Sequence, residues 1–83
     1  MTMVKVRFTS SFHAAFGGTE ALTIEASTLR ELMRILLDTY PRLQKHLEGG
    51  IALAINGQIY RDNLDVVIPE GAEVFMMPRI QGG

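Results

Sequence analysis

The 83-residue chain contains no cysteine and no tryptophan. Without a thiol it has no disulfide staple, no thiolate zinc site, no iron–sulfur cluster and no catalytic cysteine. A domain this small without disulfides must be held by its apolar core, which suits a reducing compartment. An excess of charge of either sign is also lacking: eight basic residues face nine acidic ones, for a formal net charge of −1. The bases, among them only two lysines (Lys5 and Lys45), are scattered. No electrostatic footprint for nucleic acid or for an anionic membrane surface follows from that balance. No apolar run approaches the roughly 20 residues of a membrane span. The start, Met1-Thr2-Met3-Val4-Lys5-Val6-Arg7, lacks the apolar stretch of a signal peptide. The expected location is cytoplasmic.

What is present is apolar patterning. Hydrophobic residues make up 47% of the chain, too many for a disordered segment. Val4, Val6 and Phe8 alternate with Lys5, Arg7 and Thr9, the period of a half-buried strand. Residues 10–19 hold Ser10-Ser11 and Gly17-Gly18 and read as a loop, with Phe12 and Phe16 spaced to form one helical turn that pins it to the core. Leu22 and Ile24 mark a second strand, expected to pair with the first as a hairpin. Leu29, Leu32, Met33, Leu36, Leu37 and Tyr40 then fall on one stripe of an amphipathic helix. Thr28 and Glu31 form a capping box at its start. Pro41 ends it near Tyr40, and Arg34 and Asp38 can pair across one turn for about 0.3 kcal/mol.

Leu43, Leu47 and Gly49-Gly50 indicate a short further turn and a break. Leu53 and Ile55 alternate with Ala52 and Ala54 as a third strand. Asn56-Gly57 is a strong hairpin signal, because a type I′ turn needs positive φ at both central residues. Residues 58–60 are the short return strand, residues 64–68 an irregular or extended apolar stretch, Pro69-Glu70-Gly71 a turn, and residues 73–77 the last strand. The order predicts an α+β fold: a mixed sheet of four to five strands packed on one main helix, the β-grasp or ubiquitin-like architecture. A ferredoxin-like sandwich would need a second full helix, for which residues 64–68 are too short.

Nothing in the sequence builds an internal active site. His13 and His46 lie in separate segments without metal-ligand spacing, so no metal site is expected. Thr9, Ser10 and Ser11 have no nearby base, and neither Gly17-Gly18 nor Gly49-Gly50 opens a phosphate loop. Two features remain. Phe75 and Met77 share one face of the last strand and Val74 and Met76 the other. Only one pair fits under the helix; the other joins Ala52 and Ala54 on the open face, and an exposed Phe75–Met77 pair there would be a partner-docking patch unless a loop or the chain's own tail covers it. The chain then ends in Pro78-Arg79-Ile80-Gln81-Gly82-Gly83. A terminal Gly-Gly carries its α-carboxylate on a tip without side chains, suited to a narrow channel.

The run Leu53-Ala54-Ile55-Asn56-Gly57, the stretch from Ile68 through Pro69-Glu70-Gly71-Ala72-Glu73 to Pro78, and the closing Gly82-Gly83 resemble the MoaD/ThiS family of ubiquitin-like sulfur carrier proteins. Thr28-Leu29-Arg30-Glu31-Leu32 and Tyr40-Pro41 resemble the molybdopterin synthase small subunit in particular. Arg79-Ile80-Gln81 and Ala72 depart from the commoner family pattern, and the pathway stays open. The resemblance implies a β-grasp domain over residues 1–78 and a flexible tail over residues 79–83. It implies that an E1-like adenylating enzyme, using ATP and Mg, joins the Gly83 carboxylate to AMP. A sulfur donor, a cysteine desulfurase or rhodanese-like protein, then helps convert it to a thiocarboxylate. An acceptor enzyme such as a molybdopterin synthase large subunit takes the sulfur. On this reading the chain is a carrier with no active site and no bound cofactor of its own, although it can serve as the small subunit of a sulfurtransferase complex. Gly83 reacts, Gly82, Gln81, Ile80 and Arg79 form the tail, and Phe75, Met77 and Arg61 bind partners. A protein modifier conjugated through Gly83, and a β-grasp binding module with incidental glycines, are the alternatives.

Overall fold

Alternating burial shapes the first strand, β1 (Met3–Phe8), where Val4, Val6 and Phe8 point into the core and Met3, Lys5 and Arg7 point out. The computed structural model describes residues 2–47, 49–61 and 63–79. A short 3₁₀ turn, Ser10–Phe12, leads from β1 into the loop. There Phe12 and Phe16 are buried, and the Phe16 ring stacks on Phe8 at 4.2 Å and meets Tyr40 edge-on at 5.0 Å. The loop is pinned as the four-residue spacing predicts. β2 (Ala21–Glu25) returns antiparallel to β1, with Met3 opposite Glu25 and Arg7 opposite Ala21.

Helix α1 (Leu29–Thr39) follows, and Leu29, Leu32, Met33 and Leu36 are its buried stripe. Full burial of each of these side chains is worth about 1.5–3 kcal/mol. Its first amides are satisfied by two devices. The Glu31 N–H donates to Thr28 Oγ1 at 3.1 Å, one half of the expected capping box. The Glu31 carboxylate reaches past Thr28 to accept from the Ser27 N–H at 2.8 Å. The Leu29 and Arg30 N–H groups donate to the carbonyls of Val66 and Leu64. The apolar stretch 64–68 is therefore extended chain that closes the helix start, with Ile68 buried and Leu64 and Val66 packed on the core. Val67 bridges Thr28 and is 72% exposed. The Arg30 guanidinium lies 2.9 Å from Asp65 and Arg34 lies 3.8 Å from Asp38.

After the short α2 (Leu43–His46), β3 (Ile51–Ile55) and β4 (Gln58–Tyr60) form a hairpin. Asn56 and Gly57 sit at φ 48° and 92°, the positive values that a type I′ turn demands. β5 (Glu73–Pro78) inserts between β1 and β3, parallel to the first and antiparallel to the second. The sheet is thus five-stranded and mixed, in the order β2-β1-β5-β3-β4. α1 covers one face, where Val4, Val6, Leu53, Ile55, Val74 and Met76 join its stripe in a single core. This is the β-grasp arrangement expected from the sequence.

Candidate functional site

The strand period of two divides β5. Val74 and Met76 are fully buried toward α1, while Phe75 and Met77 are half-buried on the opposite face. Register then decides their neighbours. Ala54 stands opposite Phe75 on one side and Ile59 of β4 on the other, and Ala52 stands opposite Met77. A row Ile59–Ala54–Phe75–Arg7–Ala21 therefore crosses the uncovered face from edge to edge. Ala52 and Ala54 are buried but are not part of the core beneath α1. Their small side chains lie below the larger Phe75, Met77 and Ile59, as the sequence places them.

These residues line a groove of about 570 Å³, floored by Ala54, Phe75 and Met77 and closed by Asn56, Gly57, Ile59 and Glu73. A smaller recess of about 150 Å³ shares Ile59 and Met77 with it and extends to Ala52, Arg61, Pro78 and Arg79. Phe75 and Met77 of β5 thus share one surface with Arg61, which lies just past β4. Ile59, 51% exposed, is the most solvent-accessible of the large apolar side chains there. The sequence gives it little signal: a three-residue strand shows no periodicity, and only the pairing with Ala54 assigns its face.

The rim is polar. Asn56 exchanges two hydrogen bonds with the backbone of Glu73: its N–H donates to the carbonyl at 2.9 Å, and its Oδ1 accepts from the N–H at 3.1 Å. The hairpin tip is thereby stitched to the start of β5 and fixes one end of the groove. Glu73 lies 4.0 Å from Arg7, a solvent-exposed pair worth at most about 1 kcal/mol. Among the described residues the two recesses present no serine, threonine, cysteine, histidine or lysine. Their polar side chains are Asn56, Glu73, Arg61 and Arg79, set around an apolar floor.

Elsewhere, His13 packs edge-on against Phe8 and His46 tilts over Phe12, each at 5.9 Å. Thr9 and Ser11 hydrogen-bond to each other at 2.8 Å. A hollow of about 250 Å³ beside Tyr40 and Pro41 is lined by the first loop and the end of α1. No residue of β5 lines it, and the groove is the better candidate because the smaller recess that shares Ile59 and Met77 with it reaches Arg79. Arg79 itself is tied by its N–H to the Gly50 carbonyl at 3.1 Å. Ile80, Gln81, Gly82 and Gly83 lie outside the described residues.

Comparison with known proteins gives a consistent picture. The model of the ThiS family matches residues 6–83. No curated protein matches the sequence. Among solved structures, small archaeal modifier protein 1 from Methanosarcina acetivorans is 26% identical with a TM-score of 0.80, over 100% of this chain and 98% of that one. A chain of the complex of subunits 1 and 2 of the molybdopterin-converting factor from Helicobacter pylori is 30% identical with a TM-score of 0.70, over 99% of this chain and all of that one. A chain of the Amycolatopsis orientalis BexX/CysO complex, 16% identical with a TM-score of 0.77 over 96% of this chain and 99% of that one, shares the fold.

Proposed function

The chain belongs to the ThiS family, and on that footing we propose that it carries sulfur as a thiocarboxylate on Gly83. The observation that carries the reading is the extent of the family match, which runs through the last strand to Gly82-Gly83. The carboxylate is ionised at neutral pH, with an ordinary pKa near 3.5, and is a poor electrophile. Its oxygen attacks the α-phosphorus of ATP, held with Mg by an E1-like partner, and pyrophosphate leaves. The resulting acyl-adenylate is attacked at carbon by the terminal sulfur of a persulfide on a sulfur-donor partner, and AMP leaves. A second thiol cleaves the acyl disulfide and frees the thiocarboxylate, which an acceptor enzyme consumes.

The division of labour fits the geometry. A surface without catalytic side chains needs only to dock. The apolar groove with Phe75, Met77 and Ile59 supplies the contact, and Arg61 supplies a charged rim. From Arg79 to Gly83 an extended chain reaches up to about 17 Å, enough to place the tip in a partner's site while the body stays outside. The Helicobacter pylori relative was solved as a complex of two subunits, which favours a protein partner here and makes a molybdopterin synthase large subunit the acceptor we propose. A modifier role, in which a lysine amine rather than sulfur takes the acyl group, is the second reading and is favoured by the archaeal modifier neighbour.

The test is the intact mass of the protein purified from its own host. A fraction heavier by the replacement of one oxygen with one sulfur, and heavier still by one alkyl group after treatment with an alkylating agent that reacts at that sulfur, is the expected result. Lysine-linked conjugates on other proteins with no such species would move the function to the modifier reading.

A further inference from the structure

Gly49-Gly50 reads in the sequence as a turn, and neither residue lines the groove. Gly50 nevertheless touches the reactive end of the molecule. Its carbonyl accepts the Arg79 N–H at 3.1 Å, which extends the pairing of Ile51 with Pro78 by one residue. Its own N–H donates to the Leu47 carbonyl at 2.9 Å, in the turn that follows α2. The backbone of Gly50 has φ +88°, a region that side-chain-bearing residues seldom occupy. A Cβ built there would stand 3.2 Å from Arg79 Cδ and 3.4 Å from Arg79 Cβ. The aliphatic stem of Arg79 thus lies directly on the bare backbone of Gly50. Gly49 is the built-in contrast: a Cβ there meets nothing within 4 Å, and its φ is not in the left-handed region.

We propose that Gly50 is a positioning residue for the C-terminal tail, clamping Arg79 so that the chain always leaves the sheet at the same point. The proposal rests on the carrier reading above. Pro78, with φ held near −65° and no N–H to offer, stiffens the step before the clamp. Beyond it, four residues remain to bring the Gly83 carboxylate to an activating site, a reach of roughly 14 Å. If the clamp opens, Arg79 is added to the length beyond it and the reach grows by roughly 3.5 Å. A partner that grips the groove and accepts the tip in a fixed channel needs the shorter, directed tail. Gly50 acts as the zero mark of that ruler.

The test uses Gly50→Asn, since among residues with a Cβ asparagine is one of the least resistant to positive φ, although at +88° some backbone strain accompanies the added Cβ. Gly49→Ala serves as the control. One readout needs no partner: hydrogen exchange of the Arg79 amide by NMR in the isolated protein. Protection is expected in the wild type and in Gly49→Ala, and to fall in Gly50→Asn while the Leu53 and Val74 amides hold. The second readout is ATP–pyrophosphate exchange with the cognate activating enzyme, varying the carrier. Gly50→Asn should lower kcat about tenfold with KM unchanged, since docking is intact and only the tip is misplaced. Partial unfolding would instead raise KM. Should Gly50→Asn unfold, Arg79→Gly strips the stem from the tail side, and it should lower both Arg79 protection and kcat.

Wild-type kcat in the folded variant, or an Arg79 amide unprotected in the wild type, overturns the clamp. Absence of any exchange activity with wild-type carrier would overturn the carrier reading instead, and the NMR result would still decide the clamp.

Discussion

Val74 and Met76 are sealed beneath α1, whereas Phe75 and Met77, the alternate residues of the same strand, lie half-buried on the outer face. The outer face is itself divided. At the β1–β2 end it carries exposed Lys5, Arg7, Thr23 and Glu25, and at the β5–β3–β4 end it carries Phe75, Met77 and Ile59 over two alanines. Both faces of β5 are apolar, yet only one has a helix to cover it. A surface that merely needed to be soluble would have continued the charged pattern of β1 and β2. On the function proposed above, a single six-residue strand gives one face to stability and the other to association.

That separation predicts that function can be removed without touching the fold. Deleting Gly83 should abolish ATP–pyrophosphate exchange with the activating enzyme, because the reacting carboxylate is moved one residue back, while the melting temperature stays as in the wild type. Normal exchange by the shortened chain would show that the tip is not the reacting group. The converse is Met76→Ala. Truncating this fully buried side chain should cost about 2–5 kcal/mol. For a domain of this size each kcal/mol lowers the melting temperature by about 4–8 °C, so calorimetry should show a large drop. At a temperature where the variant is still folded, its affinity for partners should match the wild type.

Much of this division was legible in the sequence because both halves are written in local periods. The alternation in residues 73–77, the helical stripe from Leu29 to Leu36 and the Asn56-Gly57 turn each declare a backbone geometry within a few residues. What lay beyond reach was carried by backbone groups or by register. The carbonyls of Leu64 and Val66 close the start of α1, and carbonyls leave no mark on side-chain identity. The parallel pairing of β1 with β5 joins segments about seventy residues apart. Ile59 takes its face from the hairpin pairing with Ala54 and joins Phe75 only because β3 pairs with β5, and the contact of Gly50 with Arg79 depends on the strand before the tail ending where it does.

Phe75→Ala sharpens the comparison on the outer face. A half-buried aromatic at the centre of a docking groove is expected to act as an anchor, so affinity for the activating enzyme should weaken by about 2 kcal/mol, roughly thirtyfold. The stability cost should stay near 1 kcal/mol, because the ring is only partly removed from water in the free protein. Ile59→Ala, nearer the rim, should weaken binding by less. Titration calorimetry against the partner, beside thermal melts, reads both quantities. A melt as damaged as that of Met76→Ala would mean that Phe75 belongs to the stability side and that the two faces are not separate.

The smallest effect concerns a pair on the helix side, Arg30 and Asp65. Their hydrogen bond at 2.9 Å, and secondarily the charge of Arg30, hold the Asp65 carboxyl below its ordinary value of 3.8. A carboxylate whose folded pKa is depressed adds stability above its unfolded pKa, and that stability is lost as pH falls through the folded value. Both side chains are exposed, so salt screens the pair and its contribution is small. Asp65→Asn should therefore melt slightly below the wild type near neutral pH at low salt, and the gap should narrow as the pH drops through and below about 4. Since Asp65 lies on the segment that closes the start of α1, the substitution should leave partner affinity untouched. A gap that persists in strong acid would assign the effect to packing rather than charge, and a change in partner affinity would place part of the docking surface on the helix side.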